Sequence, residues 1–113
     1  IQSGAFKADL SEIQTCGTVV SESGNGLKNT RGSLSMARYN DPHSAAASFF
    51  INLGNNDNLD PSSDGWGYAV FGFVTDGMDV VDNIAAVKTH YNNQLDAKDV
   101  PIEPLHIISI KVK

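Results

Sequence analysis

Short stretches of this chain alternate apolar and polar positions or gather β-branched and aromatic residues, and longer polar segments separate them. SLSMA (33–37) alternates, which predicts a half-buried strand with Leu34 and Met36 inward. ASFFINL (47–53) predicts a second strand over 48–53. Neighbouring side chains of a strand point to opposite faces, so only one of Phe49 and Phe50 can enter a given core. YAVFGFV (68–74) predicts a third strand, interrupted by Gly72. LHIISIKVK (105–113) alternates as a closing strand, and Ile1-Gln2 reads as the end of a strand that begins ahead of the chain. One helix is predicted over 78–87, where Met78, Val81 and Ile84 or Ala85 recur at helical spacing. Asp79 and Asp82 in its early turns favour the helix dipole, and Thr75 or Asp76 is the candidate N-cap.

The intervening segments carry turn chemistry. Residues 3–32 are rich in Gly, Ser, Thr, Glu and Asn, with a turn expected at Asn25-Gly26. A polar segment of that length is unusual unless it has a function. Residues 38–46 turn around Asp41-Pro42, residues 54–67 hold Leu59 as their only aliphatic side chain, and residues 88–104 read as loop. Trp66 is expected to pack against one end of the folded body. Short strands with a single helix make a mainly β chain, a small barrel or sandwich with a helical cap.

Length and charge narrow the picture. With 113 residues the chain suits one domain spanning 1–113, with a modest core. A net charge of −5 disfavours nucleic acid and anionic membranes as partners. No apolar run is long enough to span a bilayer. The single Cys16 has no internal partner for a disulfide, so cysteine usage does not assign a redox compartment. The chain opens on Ile1 without an initiator Met, which leads us to expect an earlier segment.

Several candidate chemistries fail on spacing. His43, His90 and His106 lie far apart with no metal-ligand spacing, so neither a metal nor a cofactor is expected. Ser33, Ser35 and Ser48 lack the Gly-x-Ser-x-Gly elbow of a hydrolase. GNG at 24–26 lacks the strand and helix that a nucleotide loop requires.

The blocks NGLKNTRGSLSMAR (25–38), SAAASFFINL (44–53), Leu59-Asp60 and GYAVFGFVTDGMDVVDNIA (67–85) resemble the cyclophilin-type peptidyl-prolyl cis–trans isomerases, most closely bacterial-type members. The resemblance covers nearly the whole chain in order. It implies the C-terminal part of an antiparallel β-barrel with helical caps, here lacking the N-terminal strands and first helix. It implies that Phe49 packs inside the barrel while Phe50 floors a pocket for a substrate proline ring. By the same likeness Gln2 is a catalytic and substrate-binding residue that hydrogen-bonds the peptide backbone near the twisting bond. Met36 matches a methionine near the pocket, placed mainly in the core by alternation. Ala37 and Arg38 match the pair that aligns the substrate chain, Leu59 matches a pocket wall, and Tyr68 takes a position that is His or Tyr in the family. Ser48 stands among the substrate-binding positions where the family usually has Gln, and Ser3 replaces a usual Gly. Asn58 stands where eukaryotic members carry the Trp that contacts cyclosporin, which implies weak binding of that drug. The family's main catalytic arginine has no match here, because its strand precedes Ile1.

What the resemblance implies is isomerisation of X–Pro peptide bonds during protein folding, with no metal or cofactor. Rotation is slow because the amide C–N bond has partial double-bond character and a barrier of about 18–20 kcal/mol. A catalyst favours the twisted amide over either planar form. A second reading is a module that binds proline-containing peptides with little turnover. The expected partners are proline-containing peptides or unfolded proteins, together with an upstream fragment that completes the barrel. A bacterial origin would place the chain in the cytoplasm or periplasm.

Overall fold

The computed structural model describes residues 1–112. Its elements are β1 (Gln2–Ser3), β2 (Ser33–Met36), β3 (Phe49–Ile51), a 3-10 turn (Asp57–Leu59), β4 (Val70–Phe73), α1 (Met78–Ala85), β5 (Thr89–Asn92) and β6 (Ala97–Pro101). β1 to β4 form an antiparallel sheet in the order β1-β3-β2-β4, and β5 and β6 form a separate hairpin. The chain is mainly β, as its alternation predicts. Among the described residues the four-stranded sheet is open, and no closed barrel is formed.

Register decides the two faces of the sheet. Phe50 lies opposite both Gln2 and Ser35, while Phe49 lies opposite Ser3 and Met36, and Ile51 opposite Leu34. Directly opposed residues share a face. One face therefore carries Leu34, Met36, Phe49 and Ile51, all half-buried. The other carries Ser35 and Phe50. Ile1 and Ile51 extend the β1–β3 ladder by exchanging backbone hydrogen bonds of 3.0 and 2.8 Å.

The sequence predicts Leu34 and Met36 as the inward residues of β2, and the structure reverses this. Ser33 and Ser35 are fully buried, and Leu34 and Met36 are only half-buried. The reason is what covers each face. Segments around Asn29 and Asn52 lie over the serine face and supply polar partners for both hydroxyls. No buried side-chain polar atom of the described residues lacks a partner. Val70, Val81 and Ala45 are the buried apolar residues.

Three further expectations are corrected. The strand expected over 105–113 is absent from 105–112, where Leu105, Ile107, Ile108, Ile110 and Val112 are exposed; Lys113 lies outside the described residues. Alternation marks a chain ready to pair, but a strand also needs a neighbouring edge. The loop expected over 88–104 contains the β5–β6 hairpin, whose polar sequence hides its period. Asp96 takes a left-handed φ of 47° at its turn, where its carboxylate accepts a hydrogen bond from the Tyr91 hydroxyl. Helix α1 is capped by neither Thr75 nor Asp76: Gly77 is the N-cap, with φ 88° and no side-chain cap. Trp66 is half exposed, its ring edge-on to His43 at 5.1 Å. Arg31 ties α1 to the segment before β2 by a 2.7 Å bond to Asp82. Both partners are about half exposed, so solvent screens the pair and it adds little to stability.

Candidate functional site

Phe50 opens onto a hollow of about 400 Å³ lined by Ile1, Gln2, Ala37, Arg38, Phe50, Leu59 and Tyr68. Each side comes from a different element. Strand β3 delivers Phe50 at its centre, and β1 delivers Gln2 directly opposite. Ala37 and Arg38 follow the end of β2, where Ala37 N–H donates to Ser48 O at 2.9 Å. Leu59 closes the 3-10 turn, and its carbonyl accepts from Tyr68 N–H at 2.8 Å. That bond sets the backbones of two walls side by side.

The Tyr68 ring is held from two directions. Phe50 meets it edge-on at 5.6 Å, and the Arg38 guanidinium lies 4.7 Å from its centroid. An edge-to-face pair adds about 0.5–1.5 kcal/mol beyond area burial. Arg38 also donates to Gly67 O through Nε and Nη2, at 3.0 and 2.8 Å, and to Tyr39 O through Nη1 at 2.8 Å. Its guanidinium is thus spent on backbone carbonyls and one aromatic face. Gly67 takes φ 62°, and a Cβ there would lie 2.6 Å from Leu59 O. The turn that brings Tyr68 to Leu59 therefore needs glycine.

Of the eight site residues expected from sequence, Gln2, Ala37, Arg38, Phe50, Leu59 and Tyr68 meet in this hollow. Ser48 stands beside it, accepting from Gln2 Nε2 at 3.1 Å and donating to Ser3 O at 3.2 Å. Met36 does not enter. It shares the face of Phe49 and lines a smaller hollow of about 50 Å³ with Val19 and Pro42. Ile1 lines the main hollow, although nothing in the sequence marks it out.

Sequence reasoning also missed the polar cluster behind the walls. Asp60, beside Leu59, accepts Asn29 N–H at 2.7 Å and Asn29 Nδ2 at 3.0 Å, and Lys28 Nζ lies 3.5 Å from it. The Asn29 backbone bond is the main cause that holds the Asp60 carboxyl below its ordinary value. A depressed folded-state pKa stabilises the fold fully above the unfolded value, near 3.9, and that contribution is lost as pH falls through the folded value. Acidification below about pH 4 is therefore expected to lower the urea midpoint in part through Asp60. In Asp60→Asn that share of the pH dependence should vanish, with lower stability at neutral pH. Equal pH slopes for the two proteins would refute the assignment.

Among the described residues no three His, Cys, Asp or Glu side chains gather as a metal site, and no helix is long and apolar enough to cross a membrane.

Comparison with known proteins gives this geometry a family. Residues 1–112 match the family model described as cyclophilin type peptidyl-prolyl cis-trans isomerase/CLD. The chain is 47% identical to a peptidyl-prolyl cis-trans isomerase of Streptomyces antibioticus, over 99% of this chain and 68% of that protein. It is 48% identical to peptidyl-prolyl cis-trans isomerase B of Escherichia coli, over 99% of this chain and 69% of that protein. It is 46% identical to a peptidyl-prolyl cis-trans isomerase of Acinetobacter baylyi, where it spans all of this chain but 59% of the relative. The chain belongs to the cyclophilin-type peptidyl-prolyl cis-trans isomerase family.

Proposed function

We propose that the hollow around Phe50 holds the ring of a peptidyl proline, and that the protein accelerates rotation about the preceding peptide bond during folding of its clients. The observation that carries this is an apolar floor of Phe50, walled by Leu59 and the Tyr68 ring and rimmed by Gln2. Such a surface can grip the ring while leaving the acyl side free to turn. Gln2 and the Ala37-Arg38 segment flank the floor, where they can align the peptide on either side of the proline. Each tenfold of acceleration requires about 1.4 kcal/mol of preference for the twisted amide.

A donor to the imide nitrogen would loosen its resonance. Neither arginine of this chain is free for that role, since Arg31 is paired with Asp82 and Arg38 with Gly67 and Tyr39. We assign the donor to an arginine on a partner fragment that also completes an antiparallel barrel with helical caps. The greater length of the relatives supports this, as does the half-buried apolar face of Leu34, Met36, Phe49 and Ile51. The engaged arginines also favour the second reading, a module that binds proline-containing peptides without turning them over.

A protease-coupled assay with a proline tetrapeptide, run on the intact protein beside a titration of the same peptide, separates the two. Isomerisation predicts saturable binding and a faster cis-to-trans phase. Binding without acceleration would establish the module instead, and the absence of both would end the proposal.

A further inference from the structure

We propose that Asn29 is a positioning residue that sets the spacing between the two walls of the proline hollow; this rests on the function proposed for that hollow. Asn29 lies outside the hollow and is 1% exposed. Its Nδ2 faces three acceptors, Asp60 Oδ1 at 3.0 Å, Leu59 O at 3.1 Å and Tyr68 O at 3.3 Å. Leu59 and Tyr68 are the walls, and one amide group holds the main chain of both.

The orientation of that amide is dictated by its neighbours. Carbonyl and carboxylate oxygens only accept, so the nitrogen must face them. On the other side Oδ1 accepts from Ser35 Oγ at 2.6 Å and from Asn52 Nδ2 at 3.2 Å. Ser35 is the ladder partner of Phe50. A single buried side chain thus connects the strand beneath the floor with the backbone of both walls. Truncating it would take the side-chain donor from the Tyr68 carbonyl and leave Leu59 O with only Tyr68 N–H and Asp60 Oδ1 with only the Asn29 backbone N–H, so the walls would shift as Tyr68 O found another partner. A side chain that merely filled space would not need its donor and acceptor sorted in this way.

Ring size of the bound imino acid distinguishes spacing from general stability. Peptides carrying azetidine-2-carboxylate, proline or pipecolate at one position present four-, five- and six-membered rings to the same hollow. Asn29→Leu keeps the branched shape and removes every side-chain hydrogen bond while leaving the backbone bonds of residue 29 in place. In the intact protein it should weaken binding of the proline peptide about tenfold, as expected for loss of buried polar pairing, and shift the preference among the three rings. Ser35→Ala keeps the Nδ2 bonds but removes one anchor of Oδ1, and should shift the preference in the same direction by about twofold. This milder variant decides the matter if Asn29→Leu does not fold. Equal weakening of all three peptides, in step with the folded fraction, would overturn the proposal.

Amide resonances give an arm that does not depend on peptide. Those of Leu59, Asp60 and Tyr68 should move in either variant while those of the β5–β6 hairpin stay, and unmoved wall resonances would also overturn it. If the unmutated protein binds none of the three peptides, the functional reading falls, and the resonances still decide whether Asn29 places the walls.

Discussion

Phe50→Ala is expected to weaken binding of a proline peptide by about 30- to 150-fold, the equivalent of about 2–3 kcal/mol for an aromatic anchor in a desolvated pocket. The ring supplies the floor of the hollow and one side of the contact that holds Tyr68. Removing it loses apolar area against the proline and frees the Tyr68 ring to turn. The folded state should lose less than the roughly 3–5 kcal/mol typical of a fully buried Phe→Ala change, because Phe50 is only half-buried. Phe49→Ala is the informative contrast. Its ring sits on the opposite face, opposite Met36, so its loss should lower stability but leave the affinity of the remaining folded protein nearly unchanged. Calorimetric titration beside a thermal melt reads both quantities. If Phe50→Ala binds the peptide within about twofold of the unmutated protein, the ring is not the floor of a working pocket.

Gly67→Ala is expected to cost about 2–4 kcal/mol of stability, a large effect for the addition of one methyl group. Two causes combine. The φ of 62° is left-handed, which a Cβ disfavours, and the added atom would press on Leu59 O at 2.6 Å, on Asp60 C and on Pro61 N. These are backbone atoms, so relief requires moving the turn that joins Leu59 to Tyr68. That movement would also disturb the bonds from Arg38 to Gly67 O. Peptide affinity should therefore fall together with the urea midpoint. Gly65→Ala, two residues earlier, meets nothing within 4 Å and should stay within about 0.5 kcal/mol of the unmutated protein. Equal midpoints for the two variants would show that the turn is not under the constraint assigned to it.

Positions of β2, β3, β4 and α1 are legible in the sequence because their signals are local, whereas the polar β5–β6 hairpin gives no such signal. Alternation in SLSMA and the aromatic run at Phe49-Phe50 lie within a few residues, and both form strands. The family blocks, being contiguous, also mark five of the six expected site residues that meet in the hollow, with Gln2 lying outside them. Met36 falls outside it because resemblance gives nearness along the sequence but not the face. Register places it with Phe49. The segment 105–112 shows the opposite failure, an alternating sequence with no edge to pair with among the described residues.

The sequence by itself determined a mainly β chain, the family, and the opposition of Phe49 to Phe50, because period and motif are carried by adjacent residues. Tertiary structure alone decided which face is covered and by what. Ser33 and Ser35 are buried, against the hydrophobic pattern, because Asn52 and Asn29, 19 and 6 residues away, offer them partners. Asn29 in turn reaches Leu59 across 30 residues and Tyr68 across 39. A polar side chain is stable in the interior only when its hydrogen bonds are met, and that depends on which distant segments the fold brings together.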